Sequence, residues 1–350
     1  MQIPSLNGLR AISVLMVICG HLDLQKNSFN SLKDIKWLLP FIDLVTDSQL
    51  GVNVFFVISG FLITTLLLTE EIEKNGISVK NFYIRRVLRI FPAYYFLLLI
   101  YAILQFNGII HLSKISWFTS LTYTKFLNRS ADYETAHFWT LSIEEIFYLF
   151  WPFIFSLGNR QRKYAAFGII LIEPLLRIYF YVNPNGIFKQ GGVFLRFDAI
   201  AIGCVCALFK EYILKILQIN FKLFFGISLM GLLIIRYFKI WFNTIHLGYL
   251  FIPFGITDGL FADIFIATII MYSVFCVKSG VWYNILNNKV FNQIGILSYS
   301  IYLWQMIFMA NLPFWVNNTP QNIVFALLCA VSSYYFIEKP FLSLKSKFSV

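Results

Sequence analysis

Residues 50–68 read LGVNVFFVISGFLITTLLL, nineteen positions without a charged side chain. A helix needs about 20 mostly apolar residues to cross the hydrocarbon core of a bilayer, and this stretch supplies them. Its apolar residues follow one another instead of alternating, so the period of two expected of a barrel strand is absent. Only helices and closed barrels satisfy their backbone in lipid, and the stretch therefore predicts a transmembrane helix. Nine further stretches have the same character: 3–24, 88–106, 139–157, 164–182, 193–209, 221–236, 248–277, 293–312 and 321–338. The fold class expected is all-α, a polytopic membrane helix bundle of about ten transmembrane helices.

Composition agrees. Of 350 residues, 59% are hydrophobic, only 13% are charged and 19% are aromatic, with a mean hydropathy of +0.72. Disorder needs the opposite balance, and a soluble enzyme could not cover its surface with so few charges. The net charge of +11 belongs to membrane topology rather than to nucleic acid. With the N-terminus inside, seventeen of the 28 Lys and Arg fall on the cytoplasmic side, as the positive-inside rule prefers. Ten spans then return the C-terminus to the cytoplasm, and the longest outer loops are 25–49 and 107–138. The first span has no basic start and no small-residue exit, so it is not a cleaved signal. Cys19, Cys204, Cys206, Cys276 and Cys329 all lie in apolar stretches without a CxxC pair, so neither a disulfide framework nor a metal site is expected.

Ionisable residues inside spans are costly and mark functional candidates. The first helix carries Arg10 and His21. Eleven residues at 100° each return to within about 20° of the same face, and their rise is about 16 Å. One stripe thus holds a cation near the inner surface and an imidazole deep in the membrane or toward its outer side. Taken singly, Arg10 is also a snorkelling loop residue and His21 an interfacial histidine. Arg86 and Arg89, three apart, share a helix face. They serve either as cytoplasmic anchors or as forked donors to phosphate groups. Glu144 and Glu145 enter an apolar helix together, so at least one faces the bundle; a helix N-terminus also favours carboxylates there. Arg196 and Asp198 are two apart, so each is expected to meet another helix. His111, His137 and His246 lack ligand spacing and are expected at surfaces or interfaces, His137 at an outer mouth. No GxGxxG, Walker A or serine elbow is present.

These residues sit in segments that resemble, in order, the motifs of the acyltransferase-3 family, whose members are membrane-bound O-acyltransferases of bacterial surface glycans and some small molecules. IPSLNGLRAI at 3–12 followed by His21 resembles its opening, a basic residue, ten residues, then His. GVNVFFVISGFLIT at 51–64 resembles the second helix, with Asn53 where relatives often have Asp. FYIRRVLRIFPAYY at 82–95 places the RxxR motif on Arg86 and Arg89. FWTLSIEEIFYLFWP at 138–152 is similar to W-S-L-S-x-E-E-x-F-Y-L-x-W-P. RFDAIAIG at 196–203, LSYSIYLWQ at 297–305 and FIEKPF at 336–341 match the closing segments, with Gln305 where relatives often have His. The opening and six further motifs in family order cover about 3–341.

The resemblance implies an acyltransferase-3 transmembrane domain over 1–342 and a short cytoplasmic tail over 343–350, a stand-alone form without an added extracytoplasmic domain. It implies acyl transfer, acetyl first, from cytoplasmic acyl-CoA to a carbohydrate hydroxyl at the bacterial cytoplasmic (inner) membrane, with no metal. His21 would be the general base. Glu144 would hold its tautomer or grip acceptor hydroxyls. Arg10, Arg86 and Arg89 would bind acyl-CoA, whose extended pantetheine arm is similar in length to the Arg10–His21 stripe. Asn53, Ser142, Glu145 and Tyr148 would orient substrate or the oxyanion. Arg196, Asp198 and Gln305 would be structural or line the substrate path. Partners would be acyl-CoA, a carbohydrate or lipid-linked glycan, the bilayer and polysaccharide-assembly proteins. An acyl-enzyme route, a transporter of donor or glycan, and a scaffold without chemistry stay open. So do the acceptor glycan or metabolite and the acyl length.

Overall fold

The computed structural model describes all residues except 1–2, 27–28, 36, 128–131, 183–195, 245–247, 310–318 and 349–350. Among the described residues the chain is helical throughout, without strands. The ten longest helices are α1 (Leu6–Lys26), α2 (Ser48–Lys74), α3 (Val79–Phe106), α4 (Phe138–Ser156), α5 (Asn159–Val182), α6 (Phe197–Leu208), α7 (Phe221–Thr244), α8 (Gly248–Met271), α9 (Lys289–Met309) and α10 (Thr319–Ser333). Each coincides with one of the ten predicted stretches. Seven of the described helical segments are long and apolar enough to cross a membrane: those over 6–24, 48–74, 79–106, 133–156, 221–239, 259–276 and 321–345. The chain is a multi-pass membrane protein. The other three predicted stretches form helices of a different kind. α5 opens on Arg160, Arg162 and Lys163, α6 has twelve residues, and α9 interleaves its apolar positions with Asn292, Gln293, Ser298, Ser300 and Gln305. The two longest predicted loops also carry short helices, over Leu39–Val45 and Lys114–Leu121.

The described residues form two compact units, Met1–Leu66 with Gly158–Ile296, and Leu67–Leu157 with Leu297–Val350. In the first unit, helices approach until their backbones meet. A Cβ added at Gly60 of α2 would lie 1.9 Å from the Ile200 carbonyl oxygen, and one at Gly203 of α6 would lie 2.1 Å from that of Val57. This reciprocal pair of glycines lets α2 and α6 touch along their backbones, the small-residue packing that membrane helices use where lipid offers no hydrophobic drive. α1 packs on α2 in the same way: Ser13 Oγ donates to the Gly51 carbonyl at 2.5 Å. The start of α1 is tied down by Asn287 Oδ1, which accepts from the Ser5 amide at 2.8 Å, and by Asn7 Nδ2 donating to Asn292 Oδ1 at 2.7 Å.

In the second unit, Ser78 caps α3 by accepting from the Asn81 amide at 3.3 Å. Glu70, fully buried at the end of α2, pairs with Arg85 Nη2 at 2.6 Å and accepts from the Ser78 amide at 3.1 Å. The α2–α3 turn is thereby stapled by one carboxylate. α10 runs into a π-helical turn, Tyr334–Glu338, and a short helix, Lys339–Lys345. The first residues of the expected tail thus continue the helix, and Arg85 Nη1 donates to the Phe348 carbonyl at 2.8 Å. Between α3 and α4, Lys125 is buried, with Nζ donating to Ser116 Oγ at 2.9 Å and to Thr135 Oγ1 at 2.7 Å. Burial pushes its pKa down from 10.5 to about 8.

Two outcomes are expected. Gly203→Val should force α2 and α6 apart and cost upward of about 1–3 kcal/mol by overpacking, read as a lowered unfolding temperature in detergent. Because the folded Lys125 binds its proton less tightly than an unfolded one, its contribution to stability should rise with pH between about 8 and 10.5 and be flat below 8; Lys125→Met should remove that rise from the thermal-unfolding profile.

Candidate functional site

α1 is unbroken from Leu6 to Lys26, so Arg10 and His21 stand on one continuous helix, both half-buried. Both belong to the first unit. Gly20 brings this end of α1 against the segment leading into α2: a Cβ there would meet the Thr46 carbonyl oxygen at 2.5 Å and the Ser48 amide nitrogen at 2.7 Å.

Beyond this junction the first unit holds a buried polar cluster. Asn53 on α2 is 2% exposed, and its Nδ2 donates to Oδ1 of fully buried Asp263 on α8 at 2.7 Å. Its Oδ1 accepts from Gln49 Nε2 at 3.3 Å. Asp198, fully buried at the start of α6, pairs with Arg177 on α5, and its Oδ1 accepts from the Ala199 amide at 3.0 Å. Asp198 thus meets another helix, as the two-residue spacing from Arg196 predicts. Arg196 and Arg177 converge on Gly259 of α8, where an added Cβ would lie 3.0 Å from Arg177 Nη1 and 3.3 Å from Arg196 Nη1. Glu173, one turn before Arg177 on α5, is 3% exposed. Arg236 on α7 pairs with Asp47.

The second unit holds a different cluster. Arg86 stacks its guanidinium on Tyr148, with Cζ 4.4 Å from the ring centroid, and lies 5.6 Å from that of Phe82. Tyr148 Oη donates to Glu144 Oε2 at 3.4 Å. Arg89 lies within electrostatic reach of Arg86, Glu144 and Glu338, and Lys345 within reach of Arg85, Arg86 and Arg89. Four cations therefore gather at one place, among carboxylates from α4 and the closing segment. A guanidinium stacked on an aromatic face keeps its N–H edge for an anion. Glu145 Oε1 is buried without a hydrogen-bond partner among the described residues. Ser142 is buried, and its Oγ donates to the Phe138 carbonyl of its own helix at 2.9 Å. Gln305 is buried in α9. Ser300 on α9 donates to Glu338. Among the described residues, no three His, Cys, Asp or Glu side chains are grouped to hold a metal ion.

The model of a family described as an acyltransferase domain matches residues 3–337. The chain belongs to the acyltransferase-3 family. A provisionally named O-acetyltransferase, SACOL0978, of Staphylococcus aureus (strain COL) is 31% identical over 378 residues, covering 97% of this chain and 57% of the relative. O-acetyltransferase OatA of Staphylococcus aureus (strain NCTC 8325 / PS 47) is 28% identical over 373 residues, again covering 97% of this chain and 57% of the relative. The chain thus spans little more than half the length of these curated relatives. No solved structure matches it.

Of the residues predicted for this acyltransferase-3 chain, the structure brings Arg86, Arg89, Glu144 and Tyr148 together in the second unit. It sets Asn53, Arg196 and Asp198 within the polar cluster of the first. His137 is a correction. Expected at a surface or outer mouth, it is 3% exposed, and its Nε2 contacts the Leu303 carbonyl at 3.2 Å while its own carbonyl accepts from Tyr302 Oη at 3.0 Å. Polar neighbours on α9 make burial of the ring affordable, and the sequence gives no sign of them. His246 lies outside the described residues. Asp263, Glu173, Arg177, Asp47, Arg236 and Lys345 were not singled out from the sequence. Their signal is a charge within or beside an apolar span.

The contact between Asn53 and Asp263 calls for a donor at position 53, which an asparagine amide supplies. A second carboxylate 2.7 Å from Asp263 would set two like charges side by side in a buried site, whereas the amide donates a hydrogen bond. Asn53→Asp should therefore destabilise the protein by about 1–3 kcal/mol. Asn53→Asp with Asp263→Asn, which exchanges donor and acceptor, should recover most of the loss in a double-mutant cycle of thermal unfolding.

Proposed function

We propose that this chain is a membrane O-acyltransferase of the bacterial cytoplasmic membrane, moving an acyl group from acyl-CoA to a hydroxyl of a surface or extracellular carbohydrate. The acyl group is acetyl, in keeping with the O-acetyltransferase names of its relatives. The observation that carries the proposal is a family match over 3–337 on a chain that keeps both a histidine in its first helix and a stacked, multi-cation cluster at Arg86.

Each role follows from chemistry the residue can do. Arg86 and Arg89, with Lys345 beside them, would take the phosphates of the donor; forked guanidiniums suit phosphate oxygens better than point charges do. Tyr148 lies under the Arg86 guanidinium, its ring centroid 4.4 Å from Cζ, which restricts the directions open to the N–H edge. Arg10 adds a cation on α1. His21 would remove the proton from the acceptor hydroxyl, because its reference pKa lies near working pH. The hydroxyl oxygen then attacks the thioester carbonyl, the carbon–sulfur bond breaks, and the proton held by His21 passes to the departing thiolate. The products are an ester and free coenzyme A. Glu144, which accepts from Tyr148 Oη, would steady the ring beneath Arg86, with Glu145 beside it. Asn53 has a second amide N–H besides the one given to Asp263, and this is the donor proposed for the oxyanion. The Ser142 hydroxyl, engaged with its own helix, is not needed for that step.

Mass spectrometry of surface glycan from cells with wild-type, deleted and His21→Ala protein tests the proposal. An ester present only with wild-type protein is expected, with the His21→Ala protein still in the membrane; an ester retained by that variant would overturn the base assignment. Arg89→Gln should raise KM for acyl-CoA by about tenfold or more, the loss of one charge-assisted contact, and change kcat less.

A further inference from the structure

The polar cluster of the first unit opens into a cleft lined on one side by Asp47, Gln49 and Asn53 and on the others by Arg196, Arg236 and Lys239. The cleft lies at the ends of its helices: the entry to α2, the first residue before α6, and the last turns of α7. Gly20 of α1 packs on Thr46 and Ser48, which flank Asp47, so the cleft belongs to the same end of the unit as His21.

Its chemistry is specific. The lining presents three cations and one carboxylate, and that carboxylate, Asp47, is paired with Arg236. Behind the lining the balance is reversed: Asp198, Asp263 and Glu173 are buried with Arg177. Three cations thus line the cleft, and Arg196 also lies within electrostatic reach of the buried Glu173 and Asp263. Gly259, also in the lining, has no side chain to fill the space where the Arg196 and Arg177 guanidiniums approach α8. Leu232 and Ile235 supply the apolar part of the wall. Cations with forked donors select carboxylate or phosphate, while Asp47, Gln49 and Asn53 offer acceptors and donors of the kind that match sugar hydroxyls.

We infer that this cleft binds an acidic carbohydrate, a sugar unit carrying a carboxylate or phosphate, as the acceptor end of the reaction. The inference rests on the acyltransferase reading for the word acceptor, but the binding itself does not need acyl-CoA.

Binding is measured on the full chain in nanodiscs of phosphatidylcholine, without acyl-CoA, using galacturonic acid, galactose 6-phosphate and galactose as probes. Both acidic probes should bind at least about tenfold more tightly than galactose, as a desolvated charge pair requires. Lys239→Gln and Arg196→Lys should each remove most of that preference. Lys239 is half-buried in the last turns of α7, so its replacement is tolerated even if that of Arg196 is not. Lys222→Gln, at the other end of α7, should leave binding unchanged. Equal affinity for galactose and the acidic probes, or an acidic preference unaffected by Lys239→Gln, would overturn the inference. So would loss of probe binding in phosphatidylglycerol nanodiscs that depends on Lys239, because the anion held there would then be a lipid headgroup. Acidic-probe binding in a protein that transfers no acyl group would leave the cleft intact and count against the proposed reaction instead.

Discussion

Lipid offers no water to a charged side chain, and this constraint organises the molecule. Three buried carboxylates are met by another helix: Asp198 by Arg177, Asp263 by Asn53, Glu70 by Arg85. These contacts join α5 to α6, α2 to α8, and the end of α2 to α3. Without them, burial of the carboxylates would cost several kcal/mol each. With them, the same groups fix which helix faces which. Glycine does the complementary work. Gly60 and Gly203 let two backbones touch, so a polar contact farther along the helices can close at hydrogen-bond distance.

The helices themselves were legible in the sequence because lipid forces long uncharged runs, and the ten stretches recognised from them all became helices. What was not legible was how charges pair across sequence distances of 200 residues or more, as between Asn53 and Asp263. Spacing within one segment predicts which residues share a face, as for Arg10 and His21 and for Arg86 and Arg89. It says nothing about the partner helix. His137 shows the cost: a histidine without ligand spacing was expected at a surface and is instead buried against Leu303 and Tyr302 of α9. Motif order carried the rest, since the residues that resemble the family's segments match the family over 3–337.

The two clusters differ in a way that bears on mechanism. In the second unit, cations from α3 and the closing segment are crowded together and one is stacked on Tyr148, an arrangement suited to a strongly charged ligand such as a nucleotide phosphate. In the first unit, cations line a cleft with neutral amides and a carboxylate beside them, which suits a singly charged, hydroxyl-rich ligand. A transferase must distinguish its donor from its acceptor, and separate charge environments give it the means.

The most direct test of this account is acyl transfer by the purified full chain in sealed vesicles, with isotopically labelled acetyl-CoA and an acidic glycan supplied on opposite sides. The account predicts labelled ester on the glycan together with an equal release of coenzyme A, both abolished by His21→Ala. Labelled ester formed at the wild-type rate by the His21→Ala protein would contradict it, as would passage of acetyl-CoA or glycan across the membrane without any ester.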